Sequence, residues 1–181
     1  PAIRSSLRQR AHDALTAQRT PCHLVGGLLR DQRLGRRLTY LNVDLAIPRG
    51  ALAVSRGLAK TLGGAFVPLD EAAGSARVVV PSSGVRVELD ISDFRGATIE
   101  EDLTRRDFTV NAIAVRLEDW LRAPQRPAPL LDPLDGQGAL ARRALVACFP
   151  RTFDDDPVRI LRAFRFMAQL AFTLDPSSEP L

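Results

Sequence analysis

The sequence predicts an α+β fold: a small mixed or antiparallel sheet flanked by helices. Three observations lead there. LNVDLAI (41–47) and VRVELDI (85–91) alternate apolar and polar residues with the period of a strand. AFVPL (65–69) and ARVVV (76–80) are separated by DEAAGS alone, so strands adjacent in sequence pair with one another, against a doubly wound order. Helical periodicity at 50–62 and 156–170 brackets these strands.

In chain order, residues 3–18 have helical spacing, and Pro21 ends that helix. CHLV (22–25) is a short buried strand. Gly26-Gly27 turns the chain into a helix that runs to about Leu34 and closes at Gly35. In 41–47, Leu41, Val43, Leu45 and Ile47 share one face, Asn42 and Asp44 the other. The 50–62 helix closes at Gly63-Gly64. In 85–91, Arg86, Glu88 and Asp90 oppose Val85, Val87, Leu89 and Ile91. Residues 94–115 pass from a loop through a helical stretch into an apolar strand. The Pro-rich segment 121–135 reads as a surface connection and a domain edge. The expected organisation is a head over 1–145 and the start of a helical region over 146–181.

Composition excludes some classes. Apolar residues make up 45% and charged residues 25%, ordinary values for a globular chain. No apolar run approaches the ~20 residues of a membrane span, and no secretory h-region follows the N-terminal charges. A cytoplasmic protein is expected. The chain opens on Pro1 and its one Met is Met167, which suggests a processed chain or a fragment. The net charge is +4, and Lys60 is the one Lys. So strong an Arg bias reads either as phosphate chemistry or as codon composition, and position must decide. Cys22 and Cys148 read as small buried hydrophobes in a reducing compartment. His12 and His23 are too scattered for a zinc site.

The segment LVGGLLRDQRLGRRLTYLNVDL carries the first chemical signal. Glycines at a strand-to-helix turn let backbone approach a phosphate, and Arg30 is one turn in. A P-loop and a dinucleotide fingerprint are both absent, and a plain tight turn explains Gly26-Gly27 equally well. Asn42 and Asp44, two apart on a strand, face one way, as metal-binding side chains must. Glu88 and Asp90 offer carboxylates from another strand. Arg159, Arg162 and Arg165 form a stripe on the last helix, which alone reads as a solvated charged face.

Together, LVGGLLRD…LG…VDLA, EEDLTRRDFTVNAIAV and DDDPVRILRAFRF resemble the class II tRNA nucleotidyltransferases, which comprise CCA-adding enzymes, their CC- and A-adding relatives and bacterial poly(A) polymerases. The resemblance covers residues 24–166. It implies a polymerase-β-like head followed by the first neck helix, and a transferase that adds CMP or AMP to an RNA 3′ end, that of tRNA above all, from CTP or ATP with two Mg²⁺ ions. It implies that Gly26, Gly27 and Arg30 meet the triphosphate and that Asn42 and Asp44 hold metal. Asp90 is the candidate for the third metal-binding and catalytic carboxylate, with Glu88 behind it, an assignment resting on strand alternation. Arg106 and Asp107 match the ribose-recognition motif. Asp156 and Arg159 would read the base edge, with Arg162 and Arg165 near the triphosphate. Members of the family continue into neck, body and tail regions, so apolar surface at Leu170, Phe172 and Leu174 is expected to be exposed here.

One departure matters. The first metal position is Asn42, a neutral ligand where a carboxylate is expected. It marks an engineered trap, a natural degenerate copy, or a rearranged ligand set using Asp44 with Asp90 or Glu88. Restoring the acid should raise nucleotide incorporation by orders of magnitude. A non-catalytic nucleotide- or RNA-binding module and a poly(A) polymerase acting on mRNA stand as alternatives.

Overall fold

The computed structural model describes residues 10, 13, 15, 20–36, 41–81, 87–122 and 128–178. The expected helix over 3–18 lies largely outside them, although Arg10, Asp13 and Leu15 are helical and Leu15 is buried. The order begins β1 (His23–Val25), α1 (Gly27–Arg33), β2 (Leu41–Ile47), α2 (Ala51–Leu62), β3 (Ala65–Asp70), β4 (Ser75–Val80) and β5 (Val87–Asp93). It continues α3 (Ile99–Thr104), a 3-10 turn (Thr109–Asn111), β6 (Ala114–Arg116), α4 (Leu117–Arg122), α5 (Gly136–Arg142), β7 (Ala144–Leu145), α6 (Thr152–Asp155), α7 (Val158–Leu170), β8 (Thr173–Leu174) and a final 3-10 turn (Pro176–Ser178).

Strands β1 to β6 form one six-stranded sheet in the order β3-β4-β5-β2-β1-β6. Among the described residues of this sheet β2 and β5 pair in parallel and the other neighbours antiparallel, so the sheet is mixed, as the sequence predicts. Alternation sorts its two faces. Val43, Leu45, Ile47, Val78, Val80, Leu89 and Ile91 are buried on one, where Val54, Leu58 and Leu62 of α2 join the same core. Each such side chain removed from water contributes about 1.5–3 kcal/mol. The backbone N–H of Ala51, an otherwise unpaired helix-start donor, gives its hydrogen to Asp93 Oδ1 at 2.8 Å, tying α2 to the end of β5.

The opposite face carries a smaller cluster, with Val25, Ala46, Phe94, Ile99, Leu103, Ala112 and Ala114. Helix α3 closes it: Thr98 caps the helix by accepting from Glu101 N at 3.2 Å. Beyond this cluster the sheet face is polar and open.

Some expectations shift. The 85–91 strand is observed as Val87–Asp93, and residues 82–86, Arg86 among them, lie outside the described residues. The 121–135 connection includes the end of α4, and α4 and α5 are too short for periodicity to mark them in the sequence. Helix α5 contains two glycines, poor helix formers, but Asp132 accepts from the N–H of Gly136 at 2.6 Å and Asp135 accepts from that of Gly138 at 3.2 Å. The apolar surface is also elsewhere than expected. Phe172 is buried, because β8 folds back to pair with β7. The exposed apolar side chains of this region are Val158, Ile160, Leu161 and Phe164 on α7. Among the described residues no helix is long and apolar enough to cross a membrane.

Candidate functional site

Strand register builds the site. Val25 lies opposite Asp44, Asp44 opposite Asp90 and Asp90 opposite Arg77, in one row across β1, β2, β5 and β4. Asn42 lies opposite Glu88 in a parallel row. Side chains paired this way share a face, so two rows of polar groups stand on the open side of the sheet. At the end of β1 the chain turns through Gly26, at φ 76° and ψ −140°, a conformation all but closed to residues with a Cβ. A Cβ there would also lie 3.3 Å from Asp44 Oδ2. Glycine thus lets the turn and the carboxylate come together.

The acidic rows are electrostatically uneven. Burial pushes the Asp44 carboxyl above its ordinary pKa and Asp90 adds to the shift, while Arg106, Arg162 and Arg77 oppose it. Asp90 is committed: Arg77 donates from Nε to Oδ1 at 2.7 Å and from Nη2 to Oδ2 at 2.8 Å. The same guanidinium pairs through Nη1 with Glu88 at 2.8 Å. Hydrogen bonding to Asp90 raises the pKa of Arg77, which stays charged. Asn42 Nδ2 also donates to Asp90 Oδ2, at 3.4 Å, while Asn42 Oδ1 is buried with no hydrogen-bond partner.

A second, basic wall faces these rows. Arg30 is buried, donates to Asp31 at 3.0 and 3.1 Å and to Asn111 Oδ1 at 2.7 Å, and lies 5.2 Å from the ring centroid of Phe166. Asp107 accepts from Phe108 N at 2.8 Å, from Asn111 at 3.3 Å and from Arg162 at 2.9 and 2.5 Å. Burial alone would raise the Asp107 carboxyl, but the charge of Arg162 and these hydrogen bonds hold it below the ordinary range. Arg106 is anchored on the fully buried Asp102 at 3.0 and 2.7 Å, with its Nη1 turned toward Gly26. At the head of α7, Arg159 Nε lies 3.5 Å from Asp156 Oδ2 and its Nη1 donates to Thr152 Oγ1 at 3.0 Å.

The two walls enclose a cleft of about 630 Å³. Gly26, Gly27, Arg30, Asn42, Asp44, Asp90, Arg106, Asp107, Asp156, Arg159 and Arg162 all line it. Arg165 and Glu88 do not. Arg165 is exposed and rests on Phe166, 4.9 Å from its ring centroid. Glu88 is buried behind Arg77.

Among the described residues no group of three or more His, Cys, Asp or Glu side chains is disposed to hold a metal ion. At the expected position, residue 42 is an amide, and both Asp90 oxygens accept from Arg77. What remains is the Asp44 carboxylate and the orphaned Asn42 Oδ1, oxygen donors of the kind a hard divalent cation takes.

Residues 22–146 match the family of the poly A polymerase head domain. The chain belongs to that family. Over 174 residues this family member is 40% identical to the CC-adding tRNA nucleotidyltransferase of Synechocystis sp., an alignment covering 96% of the chain and 39% of that protein. Over 156 residues it is 43% identical to the A-adding tRNA nucleotidyltransferase of Deinococcus radiodurans, covering 86% of the chain and 32% of that protein. The chain therefore spans well under half the length of these curated relatives. Among solved structures, a CCA-adding enzyme with ATP superposes with a TM-score of 0.73 at 30% identity, over 94% of this chain and 38% of that one. The Thermotoga maritima CCA-adding enzyme complexed with tRNA gives 0.72 at 31% identity, over 93% and 38%.

Arg77, Arg95, Asp102 and Asn111 were not singled out from the sequence. Asn111 had a signal, a lone amide inside the apolar run FTVNAIAV. Asp102 follows two other acids and looks like a solvated helix start until its complete burial is seen. Arg77 gains meaning only from its register against Asp90.

Proposed function

We propose that this poly A polymerase head domain is the nucleotide-binding part of a template-independent tRNA nucleotidyltransferase, which adds CMP, AMP or both to a tRNA 3′ end. One observation carries the reading: three segments far apart in sequence line one cleft through Gly26 and Asp44, Arg106, and Asp156 with Arg159 and Arg162. In the reaction the RNA 3′-hydroxyl oxygen bonds to the α-phosphorus of the nucleotide, the bond to pyrophosphate breaks, and the hydroxyl proton leaves to solvent.

Asp44 and Asn42 Oδ1 would hold Mg²⁺, which supplies positive charge to the triphosphate and polarises its phosphorus–oxygen bonds. Gly26 and Gly27 keep the turn free of side chains where phosphate approaches. Arg106 and Arg162, both held by buried acids, face the phosphates with little freedom to lose on binding. Asp156 and Arg159 place an acceptor and a donor side by side, as recognition of a base edge requires.

The test is pyrophosphate release with Mg²⁺, CTP or ATP, and a tRNA lacking its 3′ CCA. The expected result is release that depends on both tRNA and one or both nucleotides. Preferential ATP-driven extension of an mRNA 3′ end would mark the poly(A) branch instead. Asn42, at a position where the family pattern has an acid, favours a second reading, a non-catalytic nucleotide-binding module. There, ATP or CTP with Mg²⁺ would raise the melting temperature with no pyrophosphate released. Absence of both effects would remove both readings.

A further inference from the structure

Arg77 does not itself line the cleft but grips Asp90, which does, and the proposed chemistry leaves that grip unexplained. Its guanidinium, on β4, is spread over two carboxylates of β5, bidentate on Asp90 and single on Glu88. Bidentate geometry of this kind makes a strong and directional ion pair. Asp90 is the acid directly opposite Asp44, so Arg77 occupies the oxygens that would complete a carboxylate pair around a second ion.

The identity of residue 42 fits this. Two divalent ions need a dense cluster of carboxylates, and here one acid of that cluster is an amide while another is neutralised. Charge counting makes the match quantitative. Compared with a site having an acid at 42, no cation at 77 and two divalent ions, this one gains a positive charge from Arg77 and loses a negative charge at Asn42. Removing one divalent ion then leaves the total unchanged. The orphaned Asn42 Oδ1 supplies the second oxygen for the ion that stays.

We infer that Arg77 is a built-in cation of the metal centre: it withholds Asp90, so that Asp44 and Asn42 hold one divalent cation and no second ion binds. Arg77 acts as a positioning residue, through Asp90 and through its charge. The inference rests on the nucleotidyltransferase reading of the cleft.

Counting bound Mn²⁺ by electron paramagnetic resonance on the full chain tests it, with the melting temperature of each variant as a folding control. The unsubstituted chain should bind one Mn²⁺. Asp44→Asn should abolish that binding, and Asp90→Asn should keep the single ion. Arg77→Met should tighten binding about tenfold, which is about 1.4 kcal/mol, and Arg77→Met combined with Asn42→Asp should bind two ions. Arg77→Lys, which keeps the charge, should stay at one ion. Two Mn²⁺ of similar affinity on the unsubstituted chain would overturn the inference, as would loss of the ion in Asp90→Asn or unchanged affinity and count in Arg77→Met. Binding that survives Asp44→Asn would instead overturn the metal-site reading beneath it.

Discussion

Asp44 and Asp107 line the same cleft and are held in opposite ways. Asp107 receives four hydrogen bonds from Phe108, Asn111 and Arg162, and its carboxyl sits below the ordinary range. Among the described residues no side-chain donor bonds to Asp44, and burial with Asp90 as a neighbour pushes its carboxyl up. The carboxylate of the basic wall is therefore satisfied within the protein, whereas in the acidic wall Asp90 and Glu88 are paired by Arg77 and Asp44 receives no side-chain hydrogen bond among the described residues. Stability is invested in the first and reactivity in the second, the division expected where a site must wait for a cation.

Asp44→Asn should separate the two roles most sharply. Nucleotide incorporation should fall about a thousandfold, the scale of losing a metal's contribution to the transition state. The ligand-free fold should become more stable at neutral pH, by about 1 kcal/mol. The sign follows from linkage: a carboxyl raised in the folded state favours the protein at low pH, and that contribution is lost as pH rises through the folded pKa. The gain of Asp44→Asn over the unsubstituted chain should thus grow with pH in urea titrations. An Asp44→Asn variant less stable than its parent at pH 7 would contradict this view of the acidic wall.

Asp107→Asn should do the reverse. It leaves Arg162, whose side chain is 40% exposed, without its acid and should cost about 2 kcal/mol near neutrality. Because the folded pKa lies below the ordinary 3.8, the stability that Asp107 supplies is present above 3.8 and is lost as pH falls through the folded value. The stability gap between Asp107→Asn and the parent should narrow as denaturation is followed from pH 7 into that acid range. A gap constant with pH would mean that packing, not charge, sets the cost.

Between the walls, Gly26→Ala tests the turn that brings them together. The backbone conformation and a Cβ at 3.3 Å from Asp44 Oδ2 both oppose the substitution, with a cost of about 1–3 kcal/mol. The melting temperature should drop and the ATP-induced rise in it should shrink. Normal stability together with normal ATP response would show that the turn has room the glycine does not need.

The acidic wall was also the more legible in sequence, up to a point. Asn42, Asp44, Glu88 and Asp90 announce themselves because a strand's period of two is local, and nothing but adjacent residues is needed to sort its faces. Arg77 belongs to the same wall and was missed, because its partner is set by the register of a hairpin whose connection spans several residues. The basic wall was read through motif resemblance, and its motif residues do meet in the cleft except Arg165. What the motifs did not convey is that Arg30, Arg106 and Arg162 each lean on a buried partner, in Asn111, Asp102 and Asp107. Burial of a polar side chain depends on the whole fold, so Asp102 in EED looked the same as its solvated neighbours. The mixed sheet followed from strand order, while the return of β8 that buries Phe172 depends on a two-residue pairing too short to leave a pattern.

The smallest effect is the most discriminating. Sequence alone leads one to expect that Asn42→Asp raises incorporation by orders of magnitude, since it restores a missing acid. With Asp90 bonded on both oxygens by Arg77, the new carboxylate has one partner, Asp44, and not two. It should strengthen the grip on a single ion and raise incorporation about tenfold, about 1.4 kcal/mol, chiefly by lowering the Mg²⁺ concentration needed for half-maximal rate. It should also raise the apparent pKa of Asp44, because two carboxylates two residues apart on one strand cannot both ionise freely without a cation between them. The acid limb of the pH–rate profile should therefore move up at low Mg²⁺ and return as Mg²⁺ is added. A thousandfold rise with no change in Mg²⁺ dependence would mean that Asp90 is released from Arg77 during turnover, and that the acidic wall is less fixed than its hydrogen bonds indicate.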